Sequence, residues 1–321
     1  MSGVTRLPAR DLPVPGSISP EAQALFAGIV DRPTPGFPDT DDPVAWRATI
    51  ASAEEGLIPL LQPLDGIPGL ARETATIAGV ATYVATPEGA PADRCYLDIH
   101  GGALVMMGGE ATRLMGLMMA SRVGVATYSP DYRMPPDHPY PAALDDCLAV
   151  YRHLLDRFAP ERIVVGGASA GGNLAAALAL RIRDEALPLP AGLVLLTPEL
   201  DLTESGDSFT VLRDVDVMLR APLMGASRLY AAGADLADPY LSPLFGDFTK
   251  GYPPTLLQAG TRDLFLSNAV RMHRSLLKAG VPVELHVFEG MPHGGFGGAP
   301  EDQDLAETMG RFVAGCFERA G

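Results

Sequence analysis

Ser169 stands in the run Gly-Ala-Ser-Ala-Gly, residues 167–171, after a β-branched stretch at 163–165 and before a tail rich in alanine and leucine. A strand, a glycine-flanked serine and a helix in that order describe a sharp turn that exposes a hydroxyl at the strand's end. Small residues two before and two after the serine keep the turn from colliding with itself. The free N–H groups and dipole of the following helix favour negative charge at the same place. A phosphate loop is the competing reading. It fails, because G-x-G-x-x-G breaks at Ser169 and no G-K-[ST] occurs in the chain.

A serine nucleophile needs a base. Of the six histidines, His153 and His273 fall inside predicted helices, His286 mid-strand and His138 in a proline-rich loop. His293, in "EGMPHGGFGG", follows the last predicted strand in a glycine loop that leaves it free to turn toward Ser169. A nucleophile–acid–base chain order requires a late histidine. The imidazole must then be held in one tautomer by a carboxylate. Asp263, in "LLQAGTRDLFLS", lies after a strand and between the other two; Asp201, in "LLTPELDLT", competes for the role. Strand order favours Asp263, because the penultimate strand puts its loop beside the last one. The stretch "DIHGGALV" places Gly101, Gly102 and Ala103 after another strand, where bare backbone N–H groups can approach a substrate oxyanion, and Ala170 adds the N–H that follows the nucleophile. His100 is expected to brace this loop. Met106 and Met107 are candidates for a pliable acyl pocket, whereas Met115, Met118 and Met119 are expected in helical core packing.

These pieces need a scaffold that brings several strand ends to one edge. Strands are predicted at 73–79, 80–87, 95–99, 124–129, 162–167, 192–198, 255–260 and 283–288. Helices alternate with them at 111–122, 142–158, 173–186, 265–279 and 303–319. Such alternation implies an α/β fold: a mostly parallel central sheet with helices on both faces, and ligands beyond the carboxyl ends of its strands. Helix starts at "SPEAQALFAGIV" (19–30) and "DPVAWRATIASAEEGL" (42–57) precede a proline- and glycine-rich joint to about residue 70. The partly helical insertion 203–235 interrupts the later rhythm. Together these imply one domain over 1–321, with a helical cap from about 1–60 and 203–235 and a catalytic core at about 71–202 and 236–321.

The net charge of −15 argues against nucleic acid or an anionic membrane as partner. No apolar run reaches membrane-spanning length, and the first twenty residues lack the apolar stretch of a signal peptide. Three scattered cysteines, Cys95, Cys147 and Cys316, have neither disulfide nor zinc spacing, so reduced thiols in a cytoplasmic protein are expected.

The chain resembles the hormone-sensitive-lipase-like branch of the α/β-hydrolases, the bacterial family IV carboxylesterases. "HGGA", "DYRMPPDHPYPAALDD" (131–146), "GASAGGN", "DPYLSPLFGD", "AGTRDLFLSNA" and "MPHGGF" are similar to its blocks, over about residues 71–321. The resemblance implies an α/β-hydrolase fold with Ser169 as nucleophile, Asp263 as acid and His293 as base. It also implies oxyanion donors among Gly101, Gly102, Ala103 and Ala170. The activity implied is hydrolysis of short- to medium-chain acyl esters without cofactor or metal, with dimerisation through the last strand and helix. A lactone, amide or carbamate hydrolase with the same three residues is the alternative. A non-catalytic ligand-binding protein is the rival from another class, and the presence of His293 argues against it. Three positions depart from the family pattern: Ala103 for a glycine, Ala168 for an aspartate, and an extra glycine after His293.

Overall fold

The protein is described by a computed structural model, which covers residues 11–28 and 36–319. Eight strands form one sheet in the order β1-β2-β4-β3-β5-β6-β7-β8. They are β1 (Leu70–Ile77), β2 (Val80–Pro87), β3 (Cys95–Ile99), β4 (Ala126–Pro130), β5 (Ile163–Ala168), β6 (Gly192–Leu196), β7 (Thr255–Gly260) and β8 (Val283–Phe288). Only β2 runs against its neighbours; β4, β3, β5, β6, β7 and β8 pair in parallel. Every residue of β3, β6 and β7 is buried, as strands covered on both faces require.

The helices are α1 (Pro20–Gly28), α2 (Pro43–Leu61), α3 (Glu110–Val123), α4 (Ala142–Leu155), α5 (Ala170–Asp184), the short α6 (Ser208–Val211), α7 (Met224–Ala231), α8 (Leu266–Lys278) and α9 (Pro300–Glu318). One large apolar cluster unites β-strand residues such as Leu97 and Val165 with α4, α5 and α8. A second, around Tyr96, Val194 and Leu256, packs against α3 and α9. The alanine run of α5 is wholly buried, and its small side chains let that helix lie close to the sheet.

Several boundaries differ from the sequence reading by two or three residues, and two of the differences have a clear physical reason. α2 runs through Pro59 to Leu61 and continues as a 3-10 turn, Gln62–Gly66, where a loop is expected. Leu61, Leu64, Ile67 and Leu70 pack there on Leu114 and Leu117 of α3, and this burial outweighs the proline's lost N–H. α9 starts at Pro300, three residues early, because Asp302 accepts the N–H groups of Phe296, Gly298 and Ala299 and closes the turn in front of it. The helix expected to reach residue 30 is described only to Gly28.

The three cysteines are free and buried. No helix among the described residues is long and apolar enough to cross a membrane.

Candidate active site

β5 delivers Ser169 into a strained backbone, φ 57° and ψ −122°, which a non-glycine residue adopts only when its surroundings force it. The surroundings are the two glycines. A Cβ on Gly167 would stand 2.4 Å from the Gly171 carbonyl group, and one on Gly171 would stand 1.9 Å from the Ile99 oxygen. The Ser169 N–H donates to Leu196 O, and the Ser169 carbonyl accepts the N–H groups of Asn173 and Glu199. The buried Asn173 amide donates to the Glu199 and Leu241 carbonyls, tying the loop after β6 beneath the turn.

The structure brings Ser169, His293 and Asp263 together. Ser169 Oγ lies 2.9 Å from His293 Nε2, and His293 Nδ1 lies 3.1 Å from Asp263 Oδ1. A carboxylate oxygen can only accept, so Nδ1 carries the proton and Nε2 is left to take the serine's. Asp263 is fully buried, and its Oδ1 also receives the Phe265 N–H at 2.9 Å. The Phe265 ring packs edge-on to the imidazole, centroids 4.9 Å apart. Burial lowers the affinity of His293 for a proton. The hydrogen bond and charge of Asp263, with the charge of Asp216, more than reverse this, so its pKa lies above the ordinary imidazole value.

Asp201 is not part of this chain of hydrogen bonds. Its carboxylate receives Thr203 and Ser205 N–H and hydroxyl groups and the Arg271 guanidinium, so it closes a loop and pairs with α8.

The loop after β3 lies against the turn. A Cβ on Gly101 would be 2.9 Å from Ala168 O and 3.5 Å from Ser169 Cβ. Gly102 has φ +111°, and a Cβ there would reach 2.1 Å from Met106 O, so only glycine fits. Among the described residues, the N–H groups of Gly102, Ala103 and Ala170 donate to no protein acceptor, which leaves them available to an oxyanion. His100 braces the loop, as expected. Its Nδ1 sits 2.7 Å from Gly101 O, its ring stacks on Tyr132 at 4.0 Å, and the Tyr132 hydroxyl donates to the His100 carbonyl. Burial pushes its pKa down to about 4, so it is neutral near pH 7.

The departures from the family pattern have local reasons. Ala103 packs against two apolar clusters, Trp46–Val105–Ala226–Leu229 and Phe209–Leu223–Leu264–Phe265. Ala168 packs on the apolar cluster of Tyr96, Val194 and Leu196. Gly294 and Gly295 both take left-handed φ; a Cβ on Gly295 would stand 2.5 Å from Asp302 Oδ1, while Phe296 reaches the apolar cluster with Phe26. Met119 packs in the core, as expected, but Met115 and Met118 are only half-buried and outside the core clusters, because they lie on the outer side of α3; Met106 packs at the Trp46 cluster.

Three residues near the site carry no motif that reveals them. Asp216 lies in the insertion and accepts the His293 N–H. Glu54 of α2 accepts the Met107 N–H at 3.0 Å, gripping the oxyanion loop from above. Glu199 is buried, receives only a long bond from Ser227, and is pushed up to about 8 chiefly by burial. Among the described residues no cluster of His, Cys, Asp and Glu side chains could hold a metal ion.

The profile of a family described as alpha/beta hydrolase fold matches residues 96–296. An acetyl-hydrolase of Streptomyces hygroscopicus is 36% identical over 202 residues, 62% of this chain and 67% of its own. An esterase of Acinetobacter venetianus is 35% identical over 63% of this chain and 67% of its own. The crystal structure of esterase E25 superimposes with a TM-score of 0.89 at 36% identity, over 97% of this chain and 98% of that one. An esterase of the bacterial hormone-sensitive lipase family gives a TM-score of 0.79 at 30% identity, over 93% and 99%. The chain therefore belongs to the α/β-hydrolase family, in its hormone-sensitive-lipase-like, family IV carboxylesterase branch, and is a carboxylic ester hydrolase.

Proposed function

We propose that the protein hydrolyses short- to medium-chain acyl esters through an acyl-enzyme on Ser169, with His293 as general base and Asp263 as the residue that orients it. The observation that carries this reading is the unbroken hydrogen-bond chain from Ser169 Oγ through the His293 ring to Asp263. In the first half-reaction Ser169 Oγ attacks the ester carbonyl as Nε2 takes its proton. The tetrahedral oxyanion sits among the N–H groups of Gly101, Gly102, Ala103 and Ala170, where fixed dipoles meet the developing charge. The imidazolium, stabilised by Asp263, returns the proton to the leaving alcohol. Water then enters, is deprotonated by His293, and releases the carboxylic acid from Ser169.

The name of the Streptomyces relative, an acetyl-hydrolase, supports a short acyl group. We take the segments at 1–60 and 203–235 as the cap over this site. Support comes from Trp46 of α2 and Ala226 and Leu229 of α7, which cluster with Val105 of the oxyanion loop. The test is turnover of p-nitrophenyl esters, acetyl to dodecanoyl, beside a panel of lactones, by the wild type and by Ser169→Ala. Turnover of acetyl to octanoyl esters that vanishes in the variant is expected. Turnover retained by Ser169→Ala overturns the mechanism, and preference for lactones overturns the substrate class.

A further inference from the structure

Asp216 belongs to the insertion between β6 and β7, far from any recognisable motif, yet it is fully buried. Its carboxylate carries four backbone N–H groups from three segments. Oδ1 accepts Met218 and Leu219 of its own turn at 2.9 and 3.0 Å. Oδ2 accepts Leu264, the residue after Asp263, at 2.9 Å. The His293 N–H approaches both oxygens, at 3.3 and 3.2 Å. One side chain thus joins the loop that holds the acid to the loop that holds the base.

We propose that Asp216 is a positioning residue for the reaction: it locks the Asp263 and His293 loops at their working separation and sets a second negative charge facing the imidazolium. The inference rests on the reading of Ser169, Asp263 and His293 given above. A carboxylate suits this place where an amide does not. An asparagine offers one accepting oxygen and an NH2 group, so at least one of the four buried N–H donors would face another donor and lose its partner. The charge matters as well as the shape. The titratable groups that face His293 are Asp263, Asp216 and Glu199, the last of which holds its proton up to about 8, and those that face Asp216 are His293 and Asp263. Both carboxylates therefore stabilise the imidazolium that forms when the serine attacks. The insertion also carries α7, whose Ala226 and Leu229 pack with Val105 of the oxyanion loop, and Ser208 of the same insertion donates to the Leu264 carbonyl, so the Asp216 carboxylate is one of several ties between the insertion and the site.

The experiment compares Asp216→Asn and Asp216→Glu with the wild type on p-nitrophenyl acetate, from about pH 5 to pH 9, with thermal unfolding run in parallel. In Asp216→Asn, kcat is expected to fall about ten- to hundredfold through misplacement of the base, with KM within about twofold of wild type. The acid limb of kcat/KM moves to lower pH, because one anion facing the imidazolium is gone. Asp216→Glu keeps the charge but lengthens the arm, so its kcat falls while its acid limb stays in place. An acid limb that does not move in Asp216→Asn overturns the proposal whatever happens to kcat, since a merely structural carboxylate would behave so. If Asp216→Asn does not fold, Asp216→Glu decides: wild-type kcat in that variant also overturns it. Ser169→Ala separates the two readings. Turnover in Ser169→Ala sinks the mechanism itself, whereas an inactive Ser169→Ala beside an unmoved limb sinks only the role of Asp216.

Discussion

The backbone of Gly171 lies directly against the ends of β3: a Cβ there would stand 1.9 Å from the Ile99 carbonyl oxygen and 2.6 Å from that of His100. Both neighbours are main chain, and both precede the oxyanion loop, so the turn bearing Ser169 and the loop after β3 share one contact. Gly171→Ala must push them apart. Overpacking of this kind costs roughly 1–3 kcal/mol or more, and the displaced loop should lower kcat well beyond the change in stability. Thermal unfolding together with steady-state rates checks this; wild-type stability and activity in Gly171→Ala would contradict the geometry.

Asp263 and Asp201 occupy equivalent-looking places after adjacent strands but have different partners. Asp263→Asn keeps the shape while favouring the wrong imidazole tautomer, and kcat is expected to fall by a factor on the order of ten thousand. Asp201→Asn leaves the imidazole untouched. It weakens the loop after β6 and the bond to Arg271, at a cost of about 1–3 kcal/mol in unfolding free energy with kcat nearly unchanged. Interchanged outcomes would reassign the acid.

The pH dependence follows from the sign of the His293 shift. The base works only when neutral, and its pKa is raised, so activity is lost as pH falls through a midpoint above the ordinary imidazole value of 6.5. Removing the Asp263 charge moves that midpoint down. Rate profiles of kcat/KM for wild type and Asp263→Asn measure both; a wild-type limb below the ordinary value counts against the charges assigned to His293.

Glu199 makes a separate prediction about stability. Its carboxyl keeps its proton in the folded state to about 8, against 4.5 when unfolded. As pH rises between those values the unfolded chain releases a proton that the folded one still holds, so this group's contribution to stability declines across that window. Glu199→Gln cannot titrate. Its stability relative to wild type should therefore grow steadily from pH 5 to about pH 8, as measured by urea unfolding at several pH values. A difference independent of pH would show that Glu199 is ionised in the folded protein.

The candidate site was legible in the chain because its signals are local. A strained turn needs Gly167 and Gly171 at fixed offsets, an exposed backbone needs Gly101 and Gly102, and the loop that carries His293 to Ser169 needs the glycines that follow it. The parallel sheet was legible too, since β3, β5, β6 and β7 are short apolar runs between longer amphipathic helices. The course of α2 past Pro59 was not, because propensity saw the proline and could not see Leu114 and Leu117 waiting across the gap. Asp216, Glu54 and Glu199 escaped for the same reason. Each matters only through a partner far along the chain, 77 residues away for Asp216 and His293 and 53 for Glu54 and Met107. Residue type and spacing alone determined which groups could do the chemistry and in what order. Tertiary structure decided which carboxylate meets the imidazole, and which buried acids hold the loops around it. Hydrogen bonds and burial act over ångströms of space, and spacing along the sequence reports those distances only within one element.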